Sequence, residues 1–411
     1  MAPAFVDIPI ATVESFGWTE NEAVREIVTA LTAAEKDSVR FVGGCVRDSL
    51  LGFKAKDIDI ATTLEPEAVT AALAAAGLRS APTGLAHGTI TAIAESGTIE
   101  VTTLRSDVST DGRRATVAYT KDWATDARRR DFTVNAIYLT PERKLYDPVG
   151  GIIDAKNRRI RFIGDSRQRI REDYLRILRF FRFSARFAPE IDSVGLAASK
   201  DMRDGIDHLS AERVGSEFLS ILALTNAEKA LRWMEAAGVL EKIWPHPANV
   251  DAVAALKRDT HRVHPCVVLA ALYGDAGNGI GARLRLSNAE KSIRTNALKG
   301  AREIAPGLSN LEVRQRIYFL GRTIFRDGLN VAAATSEVDV ATKDRYATIL
   351  ADWNTPEFPL SGRDIVEHGV KPGPPVAAIL KKIERQWAAE DFPQNPRLAE
   401  ILTAAINSES R

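Results

Sequence analysis

The stretch from Phe41 to Thr63, FVGGCVRDSLLGFKAKDIDIATT, constrains this chain more than any other. Its apolar start predicts a short strand, broken at Gly43-Gly44. A helix carrying Arg47 and Asp48, a turn at Gly52 and a second strand holding Asp57 and Asp59 are expected to follow. Side chains two apart on a strand share one face, so the two carboxylates should lie side by side. Such neighbours repel unless a cation sits with them, and their hard oxygens suit Mg²⁺. A glycine pair ahead of a helix N-terminus leaves backbone N–H groups open to an anion such as a phosphate. Either motif alone is an ordinary turn or a solvated strand edge. Together, in this order, they point to nucleotide chemistry.

At 411 residues the chain has room for two or three domains, each with its own core. With 45% apolar residues, 27% charged residues and a net charge of +1, the total says nothing against a nucleic-acid partner, because positive charge can be concentrated locally. Cys45 and Cys266 form no disulfide framework and have no metal-ligand spacing, so a reducing cytoplasm is expected. The start MAPAFVDIPIATVESFGW lacks a basic segment followed by an apolar one, and no run approaches the length of a membrane span; export and membrane attachment are not expected.

Residues 20–36 read as an amphipathic helix, residues 64–78 as an alanine-rich helix opened at Glu65-Pro66, and HGTITAIAESGTIEVTTLR as a hairpin turning at Glu95-Ser96-Gly97. Its second strand carries Glu100, Thr102 and Leu104 on one face. Glu100 either meets the Asp57/Asp59 pair or is a plain exposed strand residue. Residues 106–125 read as a polar loop. ARRRDFTVNAIYL follows, and its arginines at 128–130 have an anion to hold if a triphosphate binds nearby. LYDPVGG ends the first domain. Between 158 and 186 there are ten arginines against three acidic residues, interleaved with Phe180, Phe181 and Phe183 and followed by Phe187. An amphipathic helix accounts for the phenylalanines; it does not account for so many arginines, since lysine would serve a solvated face equally. From about residue 208 the chain reads as successive helices. His261 and His264 lack the companions of a metal phosphohydrolase site.

FVGGCVRD, KDIDIATT, EVTTLR, RRRDFTVNA, LYDPVGG and REDYLRILRFFRF, in that order, resemble the signatures of the bacterial-type (class II) CCA-adding tRNA nucleotidyltransferases and poly(A) polymerases. A weaker likeness continues through HLSAERVGSEF, RLRLSNAEK and LSGRDIVEHGVKPGP. The resemblance implies an α+β fold: a nucleotidyltransferase (polymerase β-like) head with a mixed sheet over residues 1–156, a helical neck over 157–225, and a helical body and tail over 226–411 that bind tRNA. It implies that Asp57 and Asp59 hold catalytic Mg²⁺, with Glu100 at a third acidic strand position. It also implies that Gly44, Arg47 and Arg130 contact the triphosphate, and that Asp173, Arg176, Arg179 and Arg182 face the incoming base and phosphates.

The reaction so implied is attack of an RNA 3′-hydroxyl on the α-phosphorus of CTP or ATP with loss of pyrophosphate. Metal ions and arginines would neutralise the charge that develops. Cytosine and adenine both present an amine beside a ring-nitrogen acceptor, whereas uracil and guanine present a carbonyl beside an N–H. A carboxylate and a guanidinium therefore suit the first pair and leave unpaired groups against the second. Asp173 and Arg176, three apart on one predicted helix, would supply that acceptor and donor. Family members that add only CC lack a loop like that at 106–125, so its presence favours full CCA addition. The rival readings are a poly(A) polymerase using ATP alone and a non-catalytic RNA-binding protein on the same fold. Oligomeric state is not legible in the sequence.

Overall fold

Strand β2 (Val39–Val42) is buried at all four positions, and the sheet is built outward from it. The computed structural model describes residues 7, 9–110, 115–259 and 262–409. The other strands are β1 (Ala11–Thr12), β3 (Asp59–Thr62), β4 (Arg79–Gly84), β5 (Thr89–Ala94), β6 (Gly97–Thr103), β7 (Arg105–Thr110), β8 (Ala115–Tyr119), β9 (Tyr138–Leu139) and β10 (Lys144–Tyr146). Eight of them form one sheet in the order β1-β10-β9-β2-β3-β6-β5-β4, while β7 and β8 pair separately. β3 and β6 run parallel and β2 and β3 antiparallel, so the sheet is mixed.

Helix α1 (Glu22–Ala34) buries Ala23, Val24, Ile27, Ala30 and Leu31, the spacing that lays one helical stripe on a sheet, and Asn21 caps it by accepting from the Ala23 N–H. Helix α2 (Gly44–Leu50) follows β2 directly, and helix α3 (Pro66–Ala75) opens on a proline at its first turn. The hairpin at residues 95–97 forms as expected, with Ala94 opposite Gly97. Leu104 departs from its predicted face and is fully buried just past the end of β6.

The reading of residues 106–125 as a loop is corrected. Arg105–Thr110 and Ala115–Tyr119 pair as an antiparallel hairpin with a register shift between Asp107 and Ser109, and helix α4 (Trp123–Arg128) begins inside the segment. The β-branched residues Val108, Thr110, Thr116 and Val117 carry the strand preference, interrupted by enough polar residues to hide the alternation. Residues 111–114 lie outside the described residues.

Helices α5 (Gly151–Lys156), α6 (Ser166–Glu172), α7 (Leu175–Phe187), α8 (Ser193–Asp201), α9 (Ala211–Leu222), α10 (Ala227–Ala236) and α11 (Leu240–Ile243) complete the first of two compact units, Met1–Pro245. On α7 the four phenylalanines at 180, 181, 183 and 187 are buried, as the amphipathic reading required. Phe180 stacks on Phe162 at 5.1 Å and Phe183 meets Phe132 edge-on at 5.5 Å.

The second unit, His246–Arg411, is helical throughout its described secondary structure. Two of its helices, Asn288–Arg302 and Arg322–Ala334, cross with Gly300 against Gly328: a Cβ at Gly328 would lie 2.3 Å from the Gly300 carbonyl carbon. Ser287 with Glu290 and Ser309 with Glu312 form capping boxes. His264 accepts from the Cys266 N–H and caps the helix Pro265–Tyr273; His261 lies outside the described residues. Among the described residues no helix is long and apolar enough to cross a membrane.

Candidate active site

Gly43 takes φ +77° and ψ −127°, a backbone conformation that only glycine adopts without strain, and it turns the chain from β2 into α2. A Cβ placed there would stand 3.6 Å from an Asp59 carboxylate oxygen. Asp59 opens β3 opposite Val42, and on its other side lies in parallel register with Glu100 on β6. The expectation that Asp57 also sits on this strand is corrected: β3 begins at Asp59, and Asp57 occupies a bend two residues earlier. The chain between Gly52 and Ile58 must turn back toward the sheet, and that bend takes up the residues that the alternation argument had placed in the strand.

The electrostatics nevertheless tie these groups together. Burial raises the pKa of the Asp59 carboxyl, the negative charges of Glu100 and Asp57 raise it further, and Arg130 and Arg47 pull it down. Asp59 therefore lies beside Glu100 and feels the charges of Asp57, Arg130 and Arg47. Among the described residues no three His, Cys, Asp or Glu side chains form a self-contained metal cage. Carboxylate oxygens suit a hard divalent cation, and Asp57 with Asp59 would hold it as a pair, with its remaining ligands coming from elsewhere.

Arg47 is 4% exposed. Its Nε and Nη2 donate to Asp48 at 2.8 and 2.5 Å, and its Nη1 donates to Asn135 at 2.5 Å. Its guanidinium lies over the rings of Phe183 and Phe187 at 4.8 and 4.6 Å. Burial lowers its pKa, which Asp48 opposes. Asp48 reaches onward to Arg186, whose Nη2 donates to it at 2.9 Å, while Asn135 donates to Asp131 at 2.9 Å. Asp131 in turn accepts from Arg179 Nε and Nη2 at 2.9 and 2.6 Å. The chain of pairs Arg186–Asp48–Arg47–Asn135–Asp131–Arg179 thus leaves α7, crosses α2 and the 3-10 turn Thr133–Asn135, and returns to α7.

The four arginines of α7 are all engaged. Arg176 donates to Glu172 at 2.7 Å and to the backbone carbonyls of Arg169 and Arg129 at 2.9 and 3.1 Å. Arg182 pairs with Glu217 on α9 at 2.5 Å. Asp173 and Arg176 do not share a helix. Asp173 is the extended residue that ends α6, and α7 starts at Leu175, so their proximity comes from a break between helices. There Asp173 accepts from Arg213 of α9 at 2.7 Å and from the Leu175 N–H at 3.1 Å. Tyr174 fills that break and packs so tightly on Gly205 that a Cβ there would stand 1.9 Å from its ring.

On α4, Asp126 is fully buried and takes both Arg129 and Arg130. Despite burial, which pushes the other way, Arg130 and Arg129 hold its carboxyl down at about 2. Six partners, Asp48, Asp126, Asp131, Glu172, Arg213 and Glu217, went unassigned in the sequence. Asp131 stood inside RRRDFTVNA and Glu172 immediately before Asp173, but nothing local marked which arginine each would hold.

The carboxylates Asp57, Asp59 and Glu100 with Arg47 and Arg130 form one end of this arrangement. Asp173, Arg176, Arg179 and Arg182 form the other, and Asn135 with Asp131 joins them. Comparisons with known proteins point to the same family. Residues 39–161 match the family model of the poly A polymerase head domain, and residues 190–250 match that of the probable RNA and SrmB-binding site of polymerase A. The chain is 33% identical over 377 residues to the mitochondrial CCA tRNA nucleotidyltransferase 1 of Mus musculus, covering 89% of this chain and 86% of the relative. It is 30% identical over 406 residues to the CCA-adding enzyme of Levilactobacillus brevis, covering 93% and 98%. In fold it is similar to the Bacillus stearothermophilus CCA-adding enzyme in complex with CTP, with a TM-score of 0.72, 22% identity and coverage of 95% and 99%. The Thermotoga maritima CCA-adding enzyme complexed with tRNA gives a TM-score of 0.67 at 20% identity, with coverage of 95% and 96%. Motif order, mixed sheet with helical remainder, and similarity over nearly the whole length agree: the chain belongs to the family of CCA-adding tRNA nucleotidyltransferases and bacterial-type poly(A) polymerases.

Proposed function

We propose that this protein adds the 3′-terminal CCA to tRNA, taking nucleotides from CTP and ATP, releasing pyrophosphate and using no nucleic-acid template. The observation that carries the reading is Asp59: a largely buried carboxylate beside Glu100, against the Gly43 turn, in the fields of Arg47 and Arg130. A divalent cation belongs to this chemistry, and Mg²⁺ held by Asp57 and Asp59 would neutralise charge on the attacking and leaving oxygens. The chain's own groups do the rest. The N–H groups of the Gly43–Gly44 turn, with Arg47 behind it, receive the triphosphate, and Arg130 offsets its charge. In-line attack by the tRNA 3′-oxygen forms the new P–O bond as the bond to the departing pyrophosphate breaks.

At the other end, Asp173 accepts from the exocyclic amine of C or A and Arg176 donates to the ring nitrogen, which leaves U and G with unpaired groups. Glu172 and Arg213 hold these two in place. Arg179 and Arg182 complete the base end. The division into head 1–156, neck 157–225 and body with tail 226–411 is part of the same proposal, as is phosphate-directed binding of the tRNA acceptor end by the helical remainder. Free, buried Cys45 and Cys266 support a reducing compartment such as the cytoplasm.

The test is a tRNA lacking its 3′ end, incubated with each triphosphate in turn and then sequenced. CTP alone should add two C residues, ATP should add one A only after them, and UTP and GTP should add nothing. The head-domain match to poly A polymerase favours one alternative, which extension of many RNA ends by ATP alone would support.

A further inference from the structure

Asp126 is a fully buried carboxylate that the proposed reaction does not use. Its Oδ1 accepts from Arg129 Nε and Nη2 at 2.9 and 2.5 Å. Its Oδ2 accepts from Arg130 Nε and Nη2 at 3.1 and 3.0 Å and from the Tyr138 hydroxyl at 2.7 Å. Arg129 Nε also donates to the carbonyl of Arg105 at 3.1 Å, and the Arg105 N–H donates back to Asp126 Oδ1 at 3.4 Å. Arg105 is the first residue of β7, the root of the separate hairpin. The two carboxylate oxygens thus serve different arginines. Oδ2 holds the one that acts on Asp59, and Oδ1 holds the one clasped to the hairpin root. A carboxylate needed only to neutralise buried charge would not require this division.

We infer that Asp126 is a positioning residue for nucleotidyl transfer, aiming Arg130 at the Asp59 cluster and fastening that aim to the root of the β7–β8 hairpin through Arg129. The inference rests on the reaction proposed above. Burial of the Asp126 carboxylate strengthens the forks, because little water reaches it to compete with the guanidinium N–H groups. Asparagine in its place keeps the volume but offers one oxygen for two arginines and turns an amide N–H toward the other. One arginine must lose its partner.

The experiment compares the full-length parent with Asp126→Asn, Asp126→Glu and Arg129→Lys. Three readouts are taken: steady-state addition to a tRNA lacking CCA, tripolyphosphate binding by calorimetry, and amide hydrogen exchange. For Asp126→Asn, kcat/KM for CTP and ATP should fall about 10- to 100-fold, with the KM for tRNA within about 2-fold of the parent. Tripolyphosphate should bind about 10-fold more weakly, and amides at Arg105 and Thr120 should exchange faster. Asp126→Glu should restore part of both losses. Arg129→Lys, which leaves the Arg130 fork in place, covers the case of Asp126→Asn failing to fold: it should speed exchange at the hairpin root and cost less in transfer. Parent-like transfer and tripolyphosphate affinity in folded Asp126→Asn, or unchanged exchange in Arg129→Lys, overturn the inference. Should the parent itself add nothing to any tRNA, the proposed function falls, while tripolyphosphate binding and exchange still decide whether Asp126 aims Arg130.

Discussion

Replacing Asp59 by Asn separates chemistry from folding at a single residue. Its raised pKa means that the ionised carboxyl is worse placed in the folded protein than in the unfolded chain, so at neutral pH it detracts from stability in the absence of metal. Asp59→Asn should therefore leave the metal-free Tm unchanged or higher, while nucleotide addition falls by roughly 10³-fold or more. Calorimetry and a single-turnover assay on the same sample check both halves. Asp126 works in the opposite direction. Its folded pKa of about 2 lies below the ordinary carboxylate value, so its contribution is present above about pH 4 and is lost as the pH falls toward 2. Between those limits the parent should lose about 2 kcal/mol more unfolding free energy than Asp126→Asn loses, read from urea titrations at each pH.

At the scale of elements, two glycines decide whether the pieces meet. Gly151 opens α5 so close to the 3-10 turn Thr133–Asn135 that a Cβ would lie 2.1 Å from the Thr133 carbonyl oxygen. Backbone cannot step aside cheaply, so Gly151→Ala should cost about 2 kcal/mol or more and, by shifting Asn135 off Arg47, weaken triphosphate binding as well. Thermal unfolding together with nucleotide titration would show the two effects side by side. Gly205 buttresses the break between α6 and α7 through Tyr174. There the obstacle is a ring that can swing, so Gly205→Ala should disturb the setting of Asp173 more than the fold; single-nucleotide incorporation of C, A, U and G would register it as loss of discrimination.

At the scale of the molecule, local patterning carried a long way. The Gly43 turn, the hairpin at residues 95–97 and the phenylalanine stripe of α7 all follow from short-range spacing that a helix or strand imposes on its own sequence. What spacing does not carry is the partner of a charge. Asp48 and Arg186 stand 138 positions apart, and Asp131 and Arg179 48 apart; only the folded chain pairs them. The same limit explains Asp57, drawn out of β3 by a bend, and Asp173, split from α7 by the helix break. In both cases a local period was extended one turn beyond the element that sustains it.

The central claim is that the carboxylate end and the neck end of this network act on one nucleotide and admit only C and A. Its most direct test is sequencing the 3′ end of a tRNA lacking CCA after incubation with all four triphosphates together, for the parent and Arg176→Ala. The account predicts that the parent stops at CCA and that Arg176→Ala incorporates U or G while its tRNA affinity stays within about 3-fold. A parent that admits U or G or runs on into a tail of A, or an Arg176→Ala variant with parental base choice, would contradict it.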